Sequence, residues 1–94
     1  MEGKAKRSYH PLERLVRAFA NHRRIEILEL LDRTPEMSVD EIADELRINC
    51  KTASEHIRRL AIAGLVLKRS QGLYVRHKLT DLAKTILKFL RMLE

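Results

Sequence analysis

A single cysteine, Cys50, among 94 residues excludes an internal disulfide framework and any all-cysteine metal site within one chain. The four histidines, His10, His22, His56 and His77, are scattered, and the chain has neither an HxxxH nor a CxxC pair. Metal ligands on one element need such spacing, so no metal and no cofactor is expected. Only three glycines are present, none in a phosphate-cradling loop, and no Ser-His-Asp arrangement or inward carboxylate pair is visible. The abundant Asp and Glu fall on outer helix faces, so the chain is not read as an enzyme. No apolar run approaches the roughly 18 residues that a bilayer span needs. The basic opening Met1 to Arg7 has no apolar stretch behind it, so a soluble, cytoplasmic protein without membrane contact is expected.

What is present is charge, in blocks. The net +6 is unevenly spread: residues 1–24 hold seven basic and two acidic side chains, residues 25–47 two and eight, and residues 48–80 seven and one. Blocks of one sign suggest a docking face, and a basic block favours a polyanion such as nucleic acid. Ninety-four residues accommodate one domain, expected over 11–94 behind a basic arm at 1–10. A core this small gains from oligomerisation, and 45% hydrophobic residues suffice for a dimer.

Hydrophobic spacing predicts five helices and a hairpin. Pro11 pre-sets a first helix to about Ala20, with Leu12, Leu15, Val16 and Phe19 on its apolar side. Asn21 caps a second, to about Arg33, whose wide apolar face of Ile25, Ile27, Leu28, Leu30 and Leu31 suits the centre of a core. Thr34-Pro35-Glu36 breaks it. Ser38 and Glu41 form a capping box for a third helix, apolar at Val39, Ile42, Ala43 and Leu46 and acidic outside. Arg47-Ile48-Asn49 leads to a fourth helix at about 50–63, capped by Asn49, inward at Ala53, Ile57, Leu60 and Ala61, and ended by Gly64. Residues 65–69 and 73–79 read as strands around Ser70-Gln71-Gly72. Thr80 caps a last helix through Leu93 whose apolar positions advance by 3, 4, 3 and 4 from Leu79. The fold class is mainly α with a β-hairpin wing: a winged helix-turn-helix.

In such a fold the first turns of the second helix of the pair reach base edges. Lys51, Thr52 and Ser54 occupy those turns next to Asn49. Glu55 is placed either to accept from a cytosine amino group or to pair with Arg58 and Arg59, which otherwise suit phosphate contacts. Lys68, Arg69, Gln71, Arg76 and Lys78 put further polar groups on the wing at about 65–79. His56, between inward positions 53 and 60, reads as a helix-interface histidine. Cys50 reads either as a small half-buried residue or as a thiol switch, since a helix N-terminus and Lys51 both favour thiolate. A dimer interface is expected through Leu12, Leu15, Val16 and Phe19 with Leu82, Ile86, Phe89, Leu90 and Leu93.

The segment Ala18-Phe19-Ala20-Asn21-His22-Arg23-Arg24-Ile25-Glu26-Ile27-Leu28 resembles the A-L-A-D/N-P-T-R-L-x-I-L pattern of the ArsR-like winged-helix repressors, with His22 in place of proline. Leu46 to Val66 is similar to that family's L-G-L-S-x-x-T-V-S-x-H-L-x-x-L-x-x-A-G-L-V, with Thr52, Ala53, Ser54, His56, Leu60, Ala63 and Gly64 in place. The resemblance covers roughly residues 12–93. It implies dimers that join through the first and last helices and place the fourth helix in the major groove, with wings on flanking backbone. Metal-responsive members carry E-L-C-V-C-D at the third helix; here Ser38 and Asp40 stand at the cysteine positions. Arg47 occupies a place usually held by glycine. The expectation is therefore a homodimeric, sequence-specific double-stranded DNA-binding regulator, a repressor on a palindromic operator. The competing readings are a winged-helix protein-interaction module and a nonspecific nucleic-acid or chromatin binder.

Overall fold

In the computed structural model, which describes residues 8–94, the chain runs α1 (His10–Phe19), α2 (His22–Arg33), α3 (Val39–Leu46), α4 (Cys50–Ile62), β1 (Val66–Gln71), β2 (Tyr74–Leu79) and α5 (Asp81–Met92). Most of the arm expected at 1–10 lies outside the described residues, and α1 already begins at His10. Four short polar side chains fix helix starts. Asn21 accepts from the Arg24 N–H, and Asn49 accepts from those of Lys51 and Thr52. Thr80 accepts from Ala83, and Ser38 and Glu41 complete the reciprocal box. Each such cap is worth about 1 kcal/mol relative to alanine.

Two helices end on the same hydrogen-bond pattern. At the end of α4 the Gly64 N–H reaches Ala61 O and the Leu65 N–H reaches Leu60 O. At the end of α3 the Arg47 N–H reaches Asp44 O and the Ile48 N–H reaches Ala43 O. Both are Schellman closures and need one left-handed residue. Gly64 supplies it at φ 79°, whereas Arg47 adopts φ 56° with a side chain attached, at a cost of about 1 kcal/mol. Glu36, just past the break after α2, is a second non-glycine residue there, at φ 68°.

The wide apolar face of α2 is the centre of the core. Its Ile27, Leu28 and Leu31 are fully buried against Ile42 of α3, Ile57 and Leu60 of α4, and Leu65 and Leu87. From α5 the core takes Ala83, Ile86 and Leu87. This corrects the expected assignment of Ile86 to a subunit interface: it is 8% exposed within one protomer. Leu15, Phe19 and Leu90 are likewise half-buried against the protomer's own core.

The hairpin pairs Val66 with Leu79 through to Gln71 with Tyr74. Its turn is therefore two residues, Gly72-Leu73, rather than the expected Ser70-Gln71-Gly72. Of the two, only Gly72 has positive φ, 61°, which matches a II′ turn and the twist of the flanking strands. Leu73, expected to open the second strand, sits at this tip and is 99% exposed. Beyond the hairpin, Met37 bridges β2 at His77, which ties the loop before α3 to the wing.

Candidate nucleic-acid interface

Inward positions of α4 are spaced so that the outer face is presented whole. With Ala53, Ile57 and Leu60 buried, Lys51, Thr52, Ser54, Glu55, Arg58 and Arg59 are all exposed. The structure divides this face. Glu55 accepts from Arg58 Nε and Nη2 and from Arg59 Nε, each at 3.0 Å. Chiefly through the Arg58 hydrogen bond, its carboxyl is held down to about 2. Of the two sequence readings of Glu55, the structure forms the pairing one. Lys51, by contrast, has no carboxylate within ion-pair distance among the described residues. Asn49, expected both to cap this helix and to contact DNA, has its side-chain oxygen committed to the cap.

The wing is built around a like-charge opposition. Arg69 stands directly opposite Arg76 in the register, which destabilises a strand pair unless the charges are compensated. Compensation comes from the acidic neighbour: Glu36 Oε1 accepts from Arg69 Nη2 at 2.7 Å, and Glu41 Oε1 accepts from Arg76 Nη1 at 3.3 Å. Arg76 also donates to Glu36 O and lies 5.5 Å from the Tyr74 ring centroid. Sequence reasoning did not find these two carboxylates as wing partners; the signal was the pair of arginines equidistant from the turn. Lys68 pairs with His77, on the opposite hairpin face from Arg69, Arg76 and Lys78. It faces a groove of about 370 Å³ shared with Ser54, Asp40 and His77. The expected wing contacts thus fall on two faces, and Gln71 lies at the exposed end of β1.

Cys50 is exposed rather than half-buried, and its thiol donates to Asp40 Oδ1 at 2.7 Å. That hydrogen bond raises the thiol pKa, with burial and the charges of Asp40 and Asp44 adding to it. The local cues for thiolate, the helix end and Lys51, are overridden by an acidic helix ten residues earlier. His56 is half-buried between helices, where its Nδ1 accepts from Arg24 Nε at 3.1 Å. Burial and then Arg24 lower its pKa. His77 is 2% exposed and donates through Nδ1 to Met37 O at 2.8 Å.

A second surface is apolar. Leu12 and Val16 of α1, and Leu82, Phe89 and Leu93 at the last helix, are 43–66% exposed. Large apolar side chains at helical spacing in open solvent mark a surface for a partner. Met92, 76% exposed, was not anticipated and extends it. Among the described residues no helix is long and apolar enough to cross a membrane.

Residues 21–68 match the family model described as bacterial regulatory protein, arsR family. The chain is 33% identical over 73 residues to an uncharacterized HTH-type transcriptional regulator of Methanocaldococcus jannaschii, covering 78% of this chain and 82% of the relative. Among solved structures, it is similar to the homodimeric winged helix-turn-helix DNA-binding domain of a possible ArsR-family transcriptional regulator from Mycobacterium bovis. There the identity is 28% and the TM-score 0.81, with 88% of this chain and 77% of the other covered. HlyU from Vibrio cholerae matches at 29% identity and TM-score 0.79, over 94% and 96%. With the family's helix-turn-helix, hairpin wing and central matched segment all in place, this chain belongs to the arsR family of bacterial regulatory proteins.

Proposed function

We propose that the protein binds double-stranded DNA sequence-specifically as a homodimer and represses transcription by occupying a palindromic operator. The observation that carries this reading is the polar first half of α4, where Lys51, Thr52 and Ser54 stand exposed beyond the compensated Glu55–Arg58–Arg59 cluster. In this reading α4 enters the major groove by its N-terminal turns, and Lys68, Arg69, Arg76 and Lys78 meet phosphate. Protomers join through the exposed apolar positions of α1 and α5, which accords with the homodimeric relative from Mycobacterium bovis. Neither catalysis nor a metal effector belongs to the reading. Ser38 and Asp40 supply no soft thiolate, and a raised thiol pKa makes Cys50 a poor ligand and a slow redox sensor.

One observation favours a second reading, in which the wing contacts protein. Leu67, Leu73 and Val75 join Ile62 as exposed apolar side chains on or near the presenting surface. Random-oligonucleotide selection with the purified chain separates the two: an enriched palindrome supports the DNA reading, and no enrichment over the starting pool overturns it. On the enriched site, Thr52→Ala or Ser54→Ala should reduce discrimination by about 1 to 3 kcal/mol per lost base contact. Lys68→Ala should weaken all duplexes alike.

A further inference from the structure

Between α1 and the C-terminal half of α4 lies a cleft of about 540 Å³, within the size range of small-molecule sites. Five arginines line it: Arg14, Arg17, Arg24, Arg58 and Arg59. Two carboxylates answer them. Glu13 lies 3.2 Å from Arg17 Nε, and Glu55 holds Arg58 and Arg59. Arg14 and Arg24 have no carboxylate within ion-pair distance among the described residues. Arg24 is half-buried and held only by neutral groups, His56 Nδ1 and the carbonyls of Arg17 and Ala18. Burial, then the nearby Arg59 charge, lower its pKa, with the Glu55 charge opposing them.

The remaining wall is apolar, with Leu15, Ala18 and Ile62 beside the guanidiniums. Ile62 is 73% exposed, so its side chain is available to a ligand. A convex basic face would share no cavity; here five arginines line one, and two carboxylates leave Arg14 and Arg24 without an ion-pair partner among the described residues. A duplex phosphate would need the charge and not the apolar wall. A small molecule with an acidic group and an apolar body uses both, because bidentate arginine contacts fix the acid while the body displaces water from Leu15 and Ile62.

We propose that this cleft is a binding site for a small organic anion, its phosphate or carboxylate on Arg14, Arg17 and Arg24 and its body on Leu15 and Ile62. A ligand there also draws on Arg58 and Arg59, so its occupancy opposes DNA binding; this second clause rests on the DNA reading above. Backbone NMR of the full chain, titrated with phenyl phosphate and separately with inorganic phosphate, tests the site. The expected result is saturable shifts confined to residues 14–18, 24 and 58–63, with phenyl phosphate binding roughly tenfold more tightly than inorganic phosphate. Arg14→Gln with Arg17→Gln should weaken phenyl phosphate roughly tenfold while leaving the melting temperature unchanged. Shifts centred on the first turns of α4 or the wing, or no saturation by about 10 mM, would overturn the proposal.

DNA is measured in its own arm, first without added anion, so that failure of the DNA reading shows separately from failure of the site. At constant ionic strength phenyl phosphate should lower duplex affinity in the wild type, and roughly tenfold more of it should be needed for the same loss in the double variant. If the double variant itself loses duplex affinity and phenyl phosphate gives no saturable shift, these arginines are backbone contacts and the organic-anion site is refuted.

Discussion

α4 and α5 solve the same packing problem and then diverge. Each gives three side chains to the core at helical spacing, Ala53, Ile57 and Leu60 from one and Ala83, Ile86 and Leu87 from the other. Outside that stripe α4 is polar and charged except at Ile62, whereas α5 carries Leu82, Phe89 and Met92 into solvent. A core of this size needs only a narrow strip of each helix, so the rest of the surface is free to be set by whatever the helix meets next. The difference separates a face suited to a polyanion from one suited to another apolar surface.

The largest effects should appear where that division is tested directly. Leu87→Ala empties a fully buried site and should cost about 2 to 5 kcal/mol of unfolding free energy in urea denaturation. Val16→Glu with Phe89→Glu, both at exposed positions, should leave the fold intact and cost more than about 2 kcal/mol of association, read as monomers in analytical ultracentrifugation. A soluble, folded double variant that still sediments as a dimer would move the interface elsewhere. Ile86 is unsuited to that test, because its charge variant disrupts the protomer before it reports on a partner.

Next in size comes the contrast between the two Schellman ends. Arg47→Gly should stabilise by up to about 1 kcal/mol, and Gly64→Ala should destabilise by a similar amount. Space is not the issue, since a Cβ at Gly64 would meet nothing within 4 Å, so the backbone conformation alone carries the effect. Equal melting temperatures for Gly64→Ala and wild type would refute it.

The smallest effects should come from pH. His56 and His77 both have pKa values lowered from 6.5, first by burial, so the folded chain holds fewer protons than the unfolded one in the window just below 6.5. Their contribution is present above that pH and is lost as pH falls through the folded values. Glu41 and Glu55 are lowered as well, Glu55 to about 2, so a second loss should follow between 4.5 and about 2. Melting temperature measured against pH should fall in these two stages; His77→Gln should flatten the upper one.

The helix starts were legible because a cap acts within four residues: Asn21, Ser38 with Glu41, Asn49 and Thr80 each perform the role their spacing suggests. The charge reversal between α3 and α4 was legible for the same reason. Contacts across the fold were not. The link from Arg69 to Glu36 spans 33 residues and that from Arg76 to Glu41 spans 35, and nothing local to either strand points to them. The apolar stripe of α5 was visible, but which of its residues face the protomer's own core depends on how far α2 already fills it. Cys50 shows the limit most directly, since its sequence neighbours favour thiolate and its spatial neighbour Asp40 opposes it.

The carboxylates that hold the wing arginines also bear on salt dependence. An arginine already paired with Glu36 or Glu41 exchanges one anion for another when it meets a phosphate, and the freed carboxylate takes up a cation in place of the one released from the duplex. Lysines 51, 68 and 78 carry no such internal counterion among the described residues. If the protein binds duplex as proposed, the slope of log affinity against log salt should follow these lysines, and the basic residue count of the face should overstate it. In that complex Glu36 and Glu41 would act as tethered counterions, flattening the response of the wing to ionic strength while leaving its shape unchanged.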